Sequence, residues 1–177
     1  MSNSAVLFMD LQRDFLDLKE GRLPVDGPGA EAVLRVANAL LSKRVLPEAL
    51  PIMVLNQFSA TARIGNFFRK GAAVAGSVGA QLDPRLIQHG TAKIIFKASP
   101  SAFFNAELDT YLQIHGIQTL YVLGVFAEGC VRATVLDAIK RGYSVHVLTD
   151  AVASNGPWKK RFALWSMQRA GAKLSLL

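Results

Sequence analysis

Six short runs of apolar residues recur along the chain and are separated by longer, mixed segments. Most of these runs are nearly continuous in apolar side chains, although 144–148 and 173–176 also contain polar ones. This pattern is typical of strands that are covered on both faces, as in parallel sheets flanked by helices. The predicted strands are 5–9, 51–55, 93–96, 118–123, 144–148 and 173–176.

Segments with the apolar spacing of helices lie between most of these strands. Glycine follows three of them, at Gly116, Gly142 and Gly171, where each helix is expected to stop. The alternation predicts one three-layer α/β/α, Rossmann-like domain over residues 1–177, with a mostly parallel six-stranded sheet. The predicted helices lie near 29–44, 105–115, 131–141 and 158–170.

Residues 57–92 are the exception, because they carry no strand pattern. Their glycines and the turn-like sequence Leu82-Asp83-Pro84 predict a long loop that contains a short helix. Long loops inside compact domains are usually functional. We therefore expect this loop to contribute to the function of the protein.

The composition excludes several classes of protein. Apolar residues make up 51% of the chain and charged residues 19%, which excludes a disordered chain. A single cysteine, no signal-peptide pattern and no apolar run of membrane-spanning length predict a cytoplasmic protein without a disulfide framework. The net charge is +7, but the basic residues form scattered pairs and triples without interleaved aromatic residues. A solvated surface is therefore expected, and not a nucleic-acid interface.

Three polar residues follow predicted strands at their carboxyl ends, where open parallel sheets bind ligands. Asp10 follows the first strand, Lys97 the third, and Cys130 the fourth by way of Gly124. Taken singly, Asp10 is explained as a turn or cap residue and Lys97 as a solvated side chain. Taken together, a carboxylate, an ammonium group and a thiol supply a base, an electrostatic stabiliser and a nucleophile.

Cys130 lies at the turn from a buried strand into a helix. The unpaired N–H groups and the positive dipole end of that helix favour a thiolate. Gly124 and Gly129 let backbone amides come close to a bound group. Free cysteines are also among the most buried residues, so position alone leaves open a thiol that merely packs in the core.

The chain resembles the isochorismatase-like cysteine hydrolases, the superfamily that includes nicotinamidases and N-carbamoylsarcosine amidases. The resemblance covers nearly the whole chain except 57–92, and it implies that Asp10, Lys97 and Cys130 form a catalytic triad. The matching segments are 5–15, 97–103, 116–138, 142–145, 149–151 and 170–173.

The resemblance also implies a mechanism of cysteine attack. Asp10 accepts the thiol proton, Lys97 stabilises the charged pair and holds the carboxylate, and Cys130 attacks a carbonyl carbon. The backbone amides of Phe126 and Cys130 bind the oxyanion, in a turn that follows the family's cis peptide before Phe126. Loss of ammonia or an amine leaves a thioester, which water cleaves.

Two positions depart from the family's pattern, which commonly has threonine where this chain has Ala106 and Ala127. Those hydroxyl groups would brace the cis-peptide loop and the segment after Lys97. Their absence leaves the competence of the site open. Phe126 is also bulky for its position, and it is expected to narrow the pocket.

The resemblance implies no metal and no other cofactor in this chain. Nicotinamidases use Asp-x-His and a further histidine soon after the second strand, whereas this chain has Asn56 and Gln57 there, without a histidine. His89, His115 and His146 lie elsewhere and lack the spacing of ligands. A nicotinamidase is therefore disfavoured.

Substrate specificity is expected to lie in the variable loop. Asn56, Gln57 and Arg63 are expected to orient a polar group, and aromatic residues are expected to wall an apolar pocket. Core packing is the alternative for each aromatic residue, and a surface position is the alternative for Arg63 and Arg69. The aromatic candidates are Phe58, Phe67, Phe68 and Phe126.

These observations favour a hydrolase that cleaves the C–N bond of a small amide or ureido compound without a metal. Hydrolysis of an isochorismate-type vinyl ether is one alternative, although members with that activity can lack the cysteine. A catalytically silent binding or assembly protein on the same fold is the other, motivated by Ala106 and Ala127. The expected partner is a small-molecule substrate, with no nucleic acid and no membrane.

A homo-oligomer is expected from the resemblance. It is also suggested by an aromatic stripe along the last helix, formed by Trp158, Phe162 and Trp165. The alternative is that all three side chains pack inward.

Overall fold

A computed structural model describes residues 3–87, 90 and 92–177 of the chain. The strands in these residues are β1 (Ser4–Met9), β2 (Leu50–Asn56), β3 (Lys93–Lys97), β4 (Thr119–Val125), β5 (Ser144–Ala153) and β6 (Lys173–Ser175). The α-helices are α1 (Arg13–Leu16), α2 (Gly27–Leu41), α3 (Arg63–Phe68), α4 (Ala106–Ile114), α5 (Arg132–Lys140) and α6 (Pro157–Arg169). Among the described residues, no helix combines the length and the apolar character needed to cross a membrane.

The six strands form one sheet in the order β3-β2-β1-β4-β5-β6, and every pair of neighbours is parallel. The chain runs outward from β1 to β3 and then returns to place β4 on the other side of β1. The strand order therefore reverses between β1 and β4. Ligands bind at such a reversal, beyond the carboxyl ends of the strands.

Both faces of the sheet are covered, as the mostly apolar runs predict. Alternate residues of β1 point to opposite faces: Leu7 packs in the cluster that contains Leu108 of α4, and Phe8 packs in the cluster that contains Val33 of α2. Helices α4, α5 and α6 cover the first face, and α1 and α2 cover the second. The predicted three-layer α/β/α fold with a parallel six-stranded sheet is confirmed.

Most elements differ from their predicted bounds by one or two residues, and the largest differences are at α2, which ends at Leu41 and not near 44, and at β5. Helix α2 begins at Gly27, because the Asp26 carboxylate accepts a hydrogen bond from the Gly29 amide at 2.8 Å and Pro28 stands in the first turn. Strand β5 continues beyond the predicted end at 148 as far as Ala153. Its last residues pair with the end of β4 after a shift in register, and this pairing supports the segment that leads to Cys130.

Residues 57–92 form a loop with little regular structure in its described part, as predicted. It contains α3, a 3-10 turn at Val78–Ala80, one isolated bridge within the loop between Phe58 and Val74, and one from Leu82 to Gln12. Arg85 fixes the loop by donating two hydrogen bonds to the buried Asp83 carboxylate and one to the Leu16 carbonyl oxygen. The loop is therefore held against the end of α1 by partly buried polar contacts.

Candidate active site

The carboxyl ends of four neighbouring strands bring four polar side chains together. Asp10 follows β1, Asn56 ends β2, Lys97 ends β3, and Cys130 lies in the turn after β4. The parallel register sets Asn56 directly beside Lys97. Strand β1 separates β2 from β4, so Asp10 lies between the Asn56–Lys97 pair and the turn with Cys130.

The ammonium group of Lys97 is the centre of this cluster. Its Nζ lies 3.0 Å from Asp10 Oδ2, 2.7 Å from Asn56 Oδ1 and 3.2 Å from Cys130 Sγ. An ammonium group has three N–H donors, and these three acceptors match them. The Lys97 side chain is fully buried, and that of Asp10 is 1% exposed. The ion pair therefore interacts with little screening by water.

Burial controls the ionisation of the thiol. It raises the pKa of Cys130 to about 12, and the negative charge of Asp10 acts in the same direction, while Lys97 opposes both. Burial therefore opposes the thiolate that the helix end was expected to favour. Near neutral pH the thiol keeps its proton, so the proton has to leave as the sulfur attacks.

The pKa values of Asp10 and Lys97, the two charged partners of Cys130, are shifted in directions that suit proton transfer from the thiol. Burial raises the pKa of Asp10 above its ordinary value, although Lys97 and a hydrogen bond with Cys130 lower it. Burial would lower the pKa of Lys97, but the charges of Asp10 and Cys130 raise it above its ordinary value. Lys97 therefore stays positively charged, and Asp10 becomes a stronger base than an exposed aspartate.

The turn that carries Cys130 has an unusual backbone. The peptide between Val125 and Phe126 is cis, as the resemblance implies. A π-helical turn, Ala127–Val131, follows and leads into α5. The amides of Gly129 and Val131 both donate to the Phe126 carbonyl oxygen, at 3.0 and 3.2 Å. These bonds fix the backbone on both sides of Cys130.

Gln12 is a residue of this region that the sequence analysis missed. It is fully buried. Its Nε2 donates to the backbone carbonyl oxygens of Asn56 at 2.8 Å and Ala80 at 2.7 Å. Its Oε1 accepts from the backbone N–H of Asn56 at 2.9 Å. Its place two residues after Asp10 is the only signal that the sequence offers.

The residues predicted to bind substrate occupy different environments. Asn56 is 3% exposed and bonds to the triad through its side chain. Gln57 is half-buried, and its backbone N–H donates to the Lys97 carbonyl oxygen. The Phe58 ring lies 3.7 Å beneath the Arg69 guanidinium. Arg63 is exposed at the start of α3.

The remaining aromatic candidates also differ from one another. Phe67 and Phe68 are 80% and 78% exposed, so they are surface residues of α3 and not part of an enclosed wall. Phe126 packs edge-on against Phe15, with ring centroids 5.6 Å apart. Of these three candidates, Phe126 alone adjoins the turn that carries Cys130.

The two missing threonines have different consequences. Ala106 is exposed as the first residue of α4, and the Asn105 side chain caps that helix by accepting from the Glu107 amide. A hydroxyl group at position 106 is therefore not needed to cap the N-terminus of this helix. Ala127 is fully buried in the turn that carries Cys130, so its small side chain affects the packing of the site.

The described residues contain no group of three or more His, Cys, Asp or Glu side chains that could hold a metal ion. His115 Nδ1 bonds to the Tyr111 carbonyl oxygen, and His146 Nδ1 bonds to the Ser175 hydroxyl. His89, the third histidine, lies outside the described residues.

The isochorismatase domain family matches residues 4–176 of this chain. The chain belongs to the isochorismatase family. It is 32% identical to the nicotinamidase of Escherichia coli (strain K12), over 100% of this chain and 96% of that protein. It is 31% identical to a probable inactive nicotinamidase of Arabidopsis thaliana, over 99% of this chain and 93% of that protein.

Solved structures of the family superpose along the whole chain. The pyrazinamidase of Pyrococcus horikoshii, determined in complex with zinc, is 31% identical and has a TM-score of 0.87, covering 99% of this chain and 100% of that chain. This protein is thus an isochorismatase-family hydrolase with nicotinamidase and amidase relatives. Zinc does not fit the donors at the exit of β2, because Asn56 and Gln57 offer neutral amides there, which are poor zinc ligands.

Proposed function

We propose that this protein is a cysteine-dependent amidohydrolase that cleaves the C–N bond of a small amide or ureido compound through a thioester. One observation carries the proposal: buried Lys97 bonds to both Asp10 and Cys130. A lysine that only neutralised Asp10 would not need the sole cysteine of the chain within 3.2 Å. A base, a cation and a nucleophile in mutual contact are the requirements for covalent catalysis.

The first half of the reaction forms the thioester. Asp10 Oδ1, which has no hydrogen-bond partner among the described residues, is the oxygen free to take the thiol proton. As the Cys130 sulfur bonds to the carbonyl carbon, the carbonyl oxygen becomes an oxyanion beside the backbone amides of Phe126 and Cys130. Lys97 offsets the developing charge. The C–N bond then breaks, and the leaving nitrogen takes the proton from Asp10.

The second half releases the product. A water molecule attacks the thioester carbon, and Asp10 accepts its proton. The carbon–sulfur bond breaks, the acid product leaves, and the proton returns from Asp10 to the sulfur of Cys130. No step requires a metal, so prolonged chelation is expected to leave activity intact. Loss of activity on chelation and recovery with added zinc would contradict this.

The test is ammonia release from a panel of small amides and ureido compounds. The panel includes nicotinamide, after which two of the relatives are named. The parent should hydrolyse at least one compound, while Cys130→Ala and Asp10→Asn should lose more than about a hundredfold. Ammonia release by Cys130→Ala at the parent rate would refute the proposed nucleophile.

A silent binding protein is the second candidate, and one relative with a name that includes "probable inactive" favours it. In that case the panel yields no ammonia, and an amide binds without forming a thioester adduct that mass spectrometry detects. Vinyl ether hydrolysis is tested by adding a vinyl ether to the panel. The single domain and the cytoplasmic location expected from the sequence stay predictions.

A further inference from the structure

The side chain of Asn56 has a fixed orientation at the site. Its Oδ1 lies 2.7 Å from Lys97 Nζ, and its Nδ2 lies 3.7 Å from Cys130 Sγ. An ammonium group has donors only, so the amide oxygen has to face Lys97. The amide NH2 group therefore faces the sulfur, and the opposite orientation would set donor against donor.

The backbone of Asn56 is held as firmly as its side chain. Gln12 bonds to both its N–H and its C=O, and a third bond ties Gln12 to the Ala80 carbonyl oxygen in the loop. Asn56 and Gln12 are both buried, at 3% and 0% exposed. Buried polar groups that are fully bonded define one geometry, because each bond lost leaves an unsatisfied group.

The sulfur is surrounded by few groups that favour its anion. Asp10 opposes thiolate formation and Lys97 favours it, and these are the two charges that act on Cys130. The Asn56 N–H is a further donor, and it adds no charge to the cluster. A carboxylate in its place would compete with Asp10 for Lys97 and would offer the sulfur no proton.

We propose that Asn56 is a positioning residue of the proposed hydrolase, holding Lys97 between Asp10 and Cys130 and turning its amide N–H toward the sulfur. Gln12 acts one step further away, by fixing Asn56. The inference rests on the proposed function for its importance in turnover. Its effect on the thiol is independent of any substrate.

The test measures alkylation of Cys130 by iodoacetamide as a function of pH, read by intact mass. Asn56→Leu keeps a similar size but removes both bonds, and we expect labelling to slow by about threefold or more near neutral pH. Asn56→Asp keeps the shape but replaces the donor with a charge, and labelling should slow by about tenfold, equivalent to one pKa unit. Asn155→Asp adds the same charge at an exposed position and should match the parent.

Circular dichroism before labelling separates these effects from unfolding, which would expose the thiol and speed labelling. Parent-like labelling of a folded Asn56→Leu would overturn the inference. If Asn56→Leu does not fold, parent-like labelling of Asn56→Asp would overturn it instead.

Failure of the proposed function has a different signature. In that case the parent releases no ammonia from the panel, whatever the labelling rates of the variants. Where a substrate is found, Asn56→Leu should lower kcat and leave KM nearly unchanged, because the amide acts on charge that develops in the transition state. A rise in KM alone would instead assign Asn56 to substrate binding and overturn the positioning role.

Discussion

Burial raises the pKa of both Cys130 and Asp10, and the negative charge of Asp10 makes ionisation of Cys130 more costly still. Lys97 is the only described side chain that links the two by hydrogen bonds while carrying a positive charge. It therefore lets the Asp10 carboxylate stay ionised without leaving an unpaired charge in the interior. The chemistry that follows is transfer of a proton during attack, because a stable thiolate is disfavoured at rest.

Replacement of Lys97 by methionine tests this balance at the scale of the residue. Lys97→Met keeps the length of the side chain and removes the charge that lowers the pKa of Cys130. We expect iodoacetamide labelling near neutral pH to slow by about tenfold or more, since one pKa unit is a factor of ten in thiolate. An unchanged profile of rate against pH would mean that Lys97 does not support the thiolate. Lys93→Met is the matched control, because Lys93 bonds to Glu107 away from this cluster.

The sequence predicts some members of this cluster and not others. Asp10, Lys97 and Cys130 were found because each follows an apolar strand, and parallel strands end at one edge. Asn56 also ends a strand, but the choice between contact with substrate and contact with Lys97 depends on the orientation of an amide. Gln12 shows no such pattern, since the partners of a buried amide lie far away in the sequence.

At the scale of the element, the approach of β4 to β1 is what joins Asp10 to Cys130. Gly124 lies beside Met9 with φ of 119°, and a Cβ atom there would overlap the Met9 backbone. Strands β1 and β4 can therefore pair at Met9 only with glycine at position 124. Strand β5 supports the same place, because its extension to Ala153 pairs with Val125.

Gly124→Ala is expected to destabilise the protein by more than about 3 kcal/mol, because the backbone itself has to move. Gly142→Ala is the matched control: it also has a positive φ, of 86°, but nothing lies within 4 Å of the added Cβ. That variant should lose only about 1–2 kcal/mol, from the left-handed conformation. Urea denaturation compares the two, and equal losses would show that close approach at Gly124 is not the constraint.

Periodicity predicts which elements exist but not where all of them end. The stops at Gly116, Gly142 and Gly171 were found, and each glycine has a positive φ. The end of β5 was not predicted, because Thr149 and Asp150 interrupt the apolar run although they continue the strand. Strand pairing, a contact between distant segments, overrides the local pattern there.

At the scale of the whole molecule, the aromatic stripe on α6 has no cover within the described residues. Trp158, Phe162 and Trp165 on α6 are 70%, 54% and 53% exposed, so the alternative in which all three pack inward is wrong. Helix α6 also packs against the turn that carries Cys130, and Arg132 next to that turn donates to Ser166. A partner bound to this stripe would therefore contact the helix that packs against the turn with Cys130.

The expected homo-oligomer stays a prediction, and light scattering at micromolar concentration tests it. The parent should have at least twice the mass of one chain, and Trp165→Lys should shift it toward the monomer because a charge is costly in an apolar interface. Lys173→Glu, at an exposed position on β6, is a control that changes charge outside the stripe. A parent that runs as a monomer would contradict the prediction.

The raised pKa of the Cys130 thiol also makes the stability of the folded protein depend on pH. The pKa of Cys130 is about 12 in the folded state, against an ordinary value of 9.0. Between these values the unfolded chain has released the proton and the folded chain has kept it, so the free energy of unfolding falls as pH rises. Lys97 acts in the same direction, because its pKa is also raised on folding.

Cys130→Ala removes the thiol from this balance and isolates its contribution. Between about pH 8 and pH 10.5, the parent should lose about 1–2 kcal/mol more stability than the variant, since each unit of pKa difference corresponds to about 1.4 kcal/mol. Urea denaturation at several pH values measures both curves. If the two proteins lose stability in parallel, the folded thiol titrates near its ordinary pKa. Burial would then not hinder ionisation of Cys130, and the argument that its proton leaves only during attack would lose its basis.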